Sequence, residues 1–234
     1  MKDERLRTED PRKLLTELAI PAICAQIVTL LYNTVDRFYI GRMENGAIAM
    51  AGIGLCVPIT TVLTGLSSLF GRGGAPLAAI SLGKGDREEA EDYLGNSFMG
   101  LILFSLAVMA VGLIFLEPML RAFGAKDTVM PYAKDYTSII LIGAPFSVLS
   151  VTLSNMVRAD GSPKMSMYGI IIGAVLNTIL DPIYIFIFHW GVRGAAIATI
   201  TSQLISAVVL ALYFWKKGIH MRFDRRLMGL RRDL

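Results

Sequence analysis

The chain has 234 residues, a hydrophobic share of 54%, a mean hydropathy of +0.55 and a net charge of +4. Soluble domains are usually about 45–50% apolar, and the apolar excess here lies in long uncharged runs, which indicates an integral membrane protein rather than a soluble domain. The basic residues lie in the tails and in alternate loops, so the positive charge does not indicate a nucleic-acid surface. No metal-ligand spacing and no nucleophile–base pair is visible, so we do not expect an enzyme.

Six apolar runs are each long enough to cross a bilayer, which needs about 20 residues. They follow a basic arm at residues 1–13 and make up a lobe of residues 14–217. The predicted spans cover about 14–40, 47–82, 93–123, 129–157, 163–190 and 192–215. A basic tail at residues 218–234 resembles the start of a linker. The sequence therefore predicts an all-α, polytopic membrane protein with six transmembrane helices.

The distribution of basic residues predicts the orientation of these spans. With six spans both termini lie on the same side, and the positive-inside rule then selects the cytoplasm. In that orientation the inner segments carry Lys2, Arg5, Arg7, Arg12, Lys13, Lys84, Arg87, Arg158, Lys164, Lys216, Lys217, Arg222, Arg225, Arg226, Arg231 and Arg232. The outer segments carry Arg42, Arg121, Lys126, Lys134 and Arg193. We predict a multi-pass membrane protein with both termini cytoplasmic.

The fifth apolar run contains polar residues that a bilayer does not readily accept. Asn177 and Asp181 are four residues apart, so they share one face of a helix. Pro182 has no N–H, so the carbonyl of Thr178 is expected to lose its helical partner. A carboxylate at membrane depth costs about 2.5–3.5 kcal/mol on insertion scales and is functional by default. The two alternatives are a proton or small-cation site and a polar cluster that only ties helices together.

Counting along the helices places further polar residues at the depth of Asp181. At 1.5 Å per residue, Asp36 lies about 8 Å from the outer end of the first span, while Asp181 and Thr199 lie about 12–13 Å from theirs. Two carboxylates in a dry setting would share one proton or one cation. Asn177, Thr199 and a freed carbonyl could complete a Na⁺ site. We therefore predict a coupling site of Asp36, Asn177, Asp181 and Thr199, for either H⁺ or Na⁺, with no other metal or cofactor.

Other polar residues are assigned less directly. Tyr32 and Asn33 lie one turn below Asp36, and Gln26 lies about two turns deeper, so all three are candidates for a substrate cavity. Arg72 lies about 35 Å along the second span, which predicts a position at the inner membrane surface, where the side chain can snorkel.

Four segments together resemble the amino-terminal half of a MATE (multidrug and toxic compound extrusion) transporter, within the MOP flippase superfamily and nearest its bacterial branches. The segments are IPAICAQIVTLLYNTVDRFYIGR, GRGGAPLAAISLGKGDREEAE, VRADGSPKMSMYGIIIGAVLNTILDPIYIF and GVRGAAIATITSQ. Each motif is modest alone, but their order and spacing extend from about Pro11 to Arg222.

The resemblance implies a fold of two six-helix lobes that exports cationic amphiphilic drugs in exchange for H⁺ or Na⁺. It also implies that Asp36, Asn177, Asp181 and Thr199 correspond to the family's amino-lobe cation site. The expected partners are the lipid bilayer, cationic amphiphilic small molecules, and a carboxy-terminal lobe or a second copy, because alternating access needs two lobes.

Two alternative functions remain open. A lipid-linked saccharide flippase of the same superfamily would carry an anionic pyrophosphate headgroup, which needs basic residues in the cavity. The spans place acids there instead, so this alternative ranks second. A non-transporting membrane partner subunit is the third.

Overall fold

The protein is described from a computed structural model that covers residues 11–216 and 218–221. Most of the basic arm and most of the basic tail lie outside the described residues. Within them every regular element is helical, as predicted. The helices are α1 (Pro11–Gly41), α2 (Gly46–Gly54), α3 (Val57–Lys84), α4 (Arg87–Ile114), α5 (Leu116–Ala122), α6 (Met130–Ile142), α7 (Ala144–Ala159), α8 (Pro163–Pro182) and α9 (Gly191–Lys216).

Four helices are long and apolar enough to cross a membrane without interruption, namely α1, α4, α8 with the turn that follows it, and α9. The remaining two spans are bent pairs. Helices α2 and α3 meet at 44°, and helices α6 and α7 meet at 52°. With each pair counted as one span, the described chain has the six spans that the sequence predicts.

Proline and glycine explain where the bent spans break. Pro58 and Pro145 lie in the first turns of α3 and α7, where a missing N–H costs no helical hydrogen bond. At Gly143, between α6 and α7, the side chain of Ile200 packs directly against the backbone, and a Cβ there would overlap it. The bend is thus fixed by close packing of α9.

The fifth span is less regular than one helix from 163 to 190. Helix α8 ends at Pro182 and continues as a π-helical turn, Ile183–Ile187. A proline inside a helix removes one donor from the hydrogen-bond ladder, and the chain widens to π geometry directly after it. The N–H of Phe188 donates to the carbonyl of Ile183 at 3.0 Å, which closes this wider turn.

The third span also differs from its predicted range of 93–123. Helix α4 begins earlier because the Asp86 carboxylate accepts a hydrogen bond from the N–H of Glu89 at 3.0 Å and so caps the helix. Residues 87–92, which are mostly charged, therefore belong to the first two turns of α4. Beyond Ile114 the chain forms the separate helix α5, where Glu117 pairs with Lys134 of α6 at 2.7 Å.

The described helices pack so that α3 contacts α4 and α7, while α8 contacts α1 and α9. Serine hydroxyl groups join α7, α8 and α9. Ser206 of α9 donates to the carbonyl of Gly169 at 2.8 Å and accepts from Ser150 of α7 at 2.9 Å. Helix α1 is the least buried of the four unbroken spans. Its large apolar side chains, such as Leu30 at 60% exposure, suit contact with lipid.

Candidate functional site

Three of the four predicted coupling residues form one hydrogen-bonded group. The side-chain amide of Asn177 donates to Oδ1 of Asp181 at 3.2 Å and to Oγ1 of Thr199 at 3.4 Å. The Thr199 hydroxyl donates to the carbonyl of Ala195 at 3.0 Å. Helix α8 supplies the first two residues one turn apart, and α9 supplies the third. Asn177 and Asp181 are 2% and 0% exposed, respectively.

Asp36 of α1 lies within electrostatic range of this group. Its charge interacts with that of Asp181, and Tyr136 of α6 lies within electrostatic range of both carboxyl groups. Tyr32, one turn below Asp36, is also close to both acids. The two acids from α1 and α8 therefore belong to one electrostatic cluster. Tyr136 is a member that the sequence alone did not indicate, because nothing in its own span distinguishes it from an ordinary core tyrosine.

The cluster contains buried acceptor oxygens without hydrogen-bond donors. They are one carboxylate oxygen of Asp36, Oδ2 of Asp181 and the side-chain carbonyl of Asn177. Such groups are costly when buried unless a donor or a cation satisfies them. The arrangement offers oxygen ligands of the kind that hard cations prefer, and it can equally take up a proton. No group of three or more His, Cys, Asp or Glu suitable for a metal ion occurs among the residues described.

Two neighbouring cavities lie beside the cluster. The first has a volume of about 230 Å³ and is lined by Asn177, Thr199 and Gln26, among others. The second has a volume of about 340 Å³ and is lined by Asp36, Asn33 and Thr199. Tyr32 lines both. Gln26, Tyr32 and Asn33, the residues predicted for a substrate cavity, each line at least one of these two cavities. The side-chain amide of Asn33 also donates to the carbonyl of Thr29 at 2.8 Å.

Arg72 of α3 lines both cavities. It shares the first cavity with Arg158, which lies in the last turn of α7. Its predicted position at the inner membrane surface stays a prediction.

Further arginines that sequence reasoning did not assign to a cavity also line these spaces. Arg37 of α1 faces the second cavity, and Arg158 of α7 faces the first. The expectation that the spans place acids in the cavity is incomplete, because two arginines line each cavity, namely Arg72 with Arg158 in the first and Arg72 with Arg37 in the second. The signal available in the sequence was the position of Arg158 in the last turn of a span, but no pattern showed that its face points inward.

Six spans of which two are bent pairs, acids on facing helices and adjoining polar cavities are typical of one lobe of a secondary transporter. A family model described as MatE matches residues 21–183. The chain belongs to this family, which confirms the resemblance drawn from the sequence motifs.

Several known proteins are similar over almost the whole chain. The multidrug export protein MepA of Staphylococcus aureus is 31% identical over 221 residues, which cover 93% of this chain and 49% of that protein. An outward-facing multidrug resistance MATE transporter of the MOP superfamily has a TM-score of 0.89 at 26% identity, over 100% of this chain and 51% of its own. A MOP superfamily transporter from Pyrococcus furiosus, described by the reversed polarity of its binding pocket, has a TM-score of 0.90 at 26% identity, over 100% and 51%. The chain spans about half the length of these relatives.

Proposed function

We propose that this chain forms one lobe of a cation-coupled multidrug exporter and that Asp36, Asn177, Asp181 and Thr199 are its coupling site. The observation that carries the proposal is the buried group of acceptor oxygens on Asp36, Asn177 and Asp181 that lack donors. A proton or Na⁺ bound there would neutralise the acids, and its release would restore their repulsion. The similarity to MepA supports drug export as the coupled process.

The coupled cycle needs a second lobe, which we propose is either a carboxy-terminal lobe or a second copy of this chain. Secondary transporters alternate access by moving two repeats against each other around a central site. We further propose that the protein lies in the bacterial inner membrane with both described ends on the cytoplasmic side, and that its substrates are cationic amphiphiles.

The first test replaces each acid in the protein as its natural gene encodes it, including any chain that follows residue 234. We expect Asp36→Asn and Asp181→Asn each to reduce efflux of an ethidium-like cation to the level of cells without the transporter, because the amide cannot take up a proton or neutralise a cation. Membrane insertion is measured in parallel. Asp135→Asn is the matched control, since that carboxylate pairs with Arg193 at 2.8 Å on the exposed surface. Efflux equal to wild type in both site variants would refute the proposal.

A lipid-linked saccharide flippase is the second candidate, because Arg72 and Arg158 line the first cavity and could receive an anionic headgroup. Resistance assays with ethidium-like cations, run beside a lipid-flipping assay in vesicles, separate the two functions. Flipping without resistance would favour the flippase.

A further inference from the structure

The first cavity carries positive charge, whereas a cavity that accepts only cations is expected to carry negative charge. Arg72 of α3 and Arg158 of α7 both line it. Its described lining otherwise consists of neutral polar and apolar residues, with no Asp or Glu among them. Asp36 lines only the second cavity, and Asp181 is fully buried and lines neither. Arg72 reaches both cavities, but the first presents arginines without acids.

Two closely packed helices carry the arginine pair. Helix α3 approaches α7 at Gly71, where a Cβ would lie 2.8 Å from the side-chain nitrogen of Asn155. The carbonyl oxygen of the same Asn155 side chain accepts a hydrogen bond from Arg158 at 2.6 Å. Arg72 follows Gly71 directly on α3, and its positive charge repels that of Arg158.

The pair lacks a protein counter-charge in the described part of the chain. The ion pairs described elsewhere join Arg87, Arg121, Lys134 and Arg193 to carboxylates, and none includes Arg72 or Arg158. Asn155 uses only one of the five N–H donors that a guanidinium offers. Two guanidinium groups on the wall of one cavity offer the planar N–H donors that bind phosphate and carboxylate groups by paired hydrogen bonds.

We propose that Arg72 and Arg158 form an anion-binding subsite in the first cavity and that it takes a phosphate or carboxylate group. The inference goes beyond the proposed function and does not depend on it. The ligand class that fits this subsite is an amphiphile with an anionic or zwitterionic head, which differs from the cationic amphiphiles proposed above as exported substrates. The Ser147 hydroxyl and the Gln203 amide line the same cavity and can donate to the remaining oxygens of that head.

Two probes test the subsite in the purified chain embedded in phosphatidylcholine nanodiscs. One is inorganic phosphate, followed by the rise in unfolding temperature. The other is phosphatidylglycerol, followed by native mass spectrometry of retained lipid. We expect Arg72→Gln and Arg158→Gln each to weaken the binding of at least one probe by roughly tenfold or more, because each removes charge-assisted hydrogen bonds. The double variant Arg72→Lys with Arg158→Lys keeps both charges but not the paired hydrogen bonds, so its binding should fall between that of wild type and that of the Arg72→Gln, Arg158→Gln double variant.

Arg87→Gln is the matched control, because Arg87 lies at the start of α4, is exposed, pairs with Glu91 at 3.1 Å and lines neither cavity. It removes one positive charge near the same end of the lobe and should leave both probes bound as in wild type. Phosphate that displaces phosphatidylglycerol would assign the subsite to a lipid headgroup. Phosphate binding without retained lipid would assign it to a soluble anion. Both results support the subsite.

Equal binding of both probes by wild type and by the Arg72→Gln, Arg158→Gln double variant would overturn the proposal, provided that both unfold at similar temperatures in phosphatidylcholine alone. Binding here is measured without transport. Asp36→Asn and Asp181→Asn should therefore bind the anionic probes normally, so failure of the coupling proposal and failure of the subsite can be told apart.

Discussion

Asp160 shows at the scale of a single residue how one carboxylate joins distant parts of the lobe. It follows α7 directly and is fully buried. Its Oδ2 accepts from the hydroxyl of Tyr213 at 2.6 Å and from the N–H of Ile219 at 2.7 Å. Its Oδ1 accepts from the N–H groups of His220 and Met221 at 2.9 and 2.8 Å. The carboxylate therefore fixes the path of the chain as it leaves α9.

We predict that Asp160→Asn lowers the free energy of unfolding by about 2–3 kcal/mol, because the amide group turns an NH₂ toward buried N–H donors and leaves them unsatisfied. Hydrogen exchange of the amides of residues 219–221 measures the local effect and should speed up. Ser162→Ala is the control, since it removes only one acceptor, at 3.0 Å, from Tyr213. Unchanged exchange at residues 219–221 in Asp160→Asn would contradict the prediction.

The residue scale also shows what a sequence can reveal about a site. Asn177 and Asp181 could be paired from the sequence because they are one helical turn apart. Thr199 could be placed at a similar depth because its distance from the end of its span can be counted. Asp160 could be read only as part of a turn, because its partners lie more than fifty residues further along the chain. Tyr136 and Arg158 could not be assigned to a cavity, since a span that is apolar on most faces gives no sign of which face points inward.

At the scale of the helices, the bend between α6 and α7 depends on a contact with α9. We predict that Gly143→Ala destabilises the lobe by about 1–3 kcal/mol, because the added methyl group overlaps the side chain of Ile200. Ile200→Ala opens that space, so the double variant Gly143→Ala with Ile200→Ala should be more stable than the sum of the single effects predicts. Unfolding temperatures in detergent measure all three.

A simple additive result would show that the close approach at Gly143 does not determine the bend. Gly54→Ala is the matched control, since a Cβ there meets nothing within 4 Å and should change stability little.

The apolar runs were enough to predict how many spans there are, because length and hydropathy decide that number. The breaks were not predictable in the same way, since Pro58, Pro145 and Pro182 are tolerated in a membrane helix with or without a bend.

At the scale of the whole molecule, the predicted orientation would place the acids and the arginine pair at different depths along the membrane normal. The buried acids lie in the half predicted to face outward, and the pair formed by Arg72 and Arg158 lies toward the end predicted to be cytoplasmic. Helix α1 borders both cavities and is the least buried of the unbroken spans. The second lobe proposed above would therefore meet the charged side chains of both cavities along α1. Which of these charges faces the cytoplasm depends on the direction in which the lobe is inserted.

We predict that the loop between α5 and α6 faces outward and that the start of α4 faces the cytoplasm, because basic residues concentrate on the second side. Single cysteines at Asp127→Cys and Glu88→Cys report this when Cys24 and Cys56 are replaced by alanine. Both positions are exposed. A membrane-impermeant maleimide should label the Asp127→Cys protein in intact cells, and the Glu88→Cys protein only after the membrane is permeabilised. The reverse pattern would place the acids at the cytoplasmic side and the arginine pair at the outer one, and cation release and anion capture would then exchange sides.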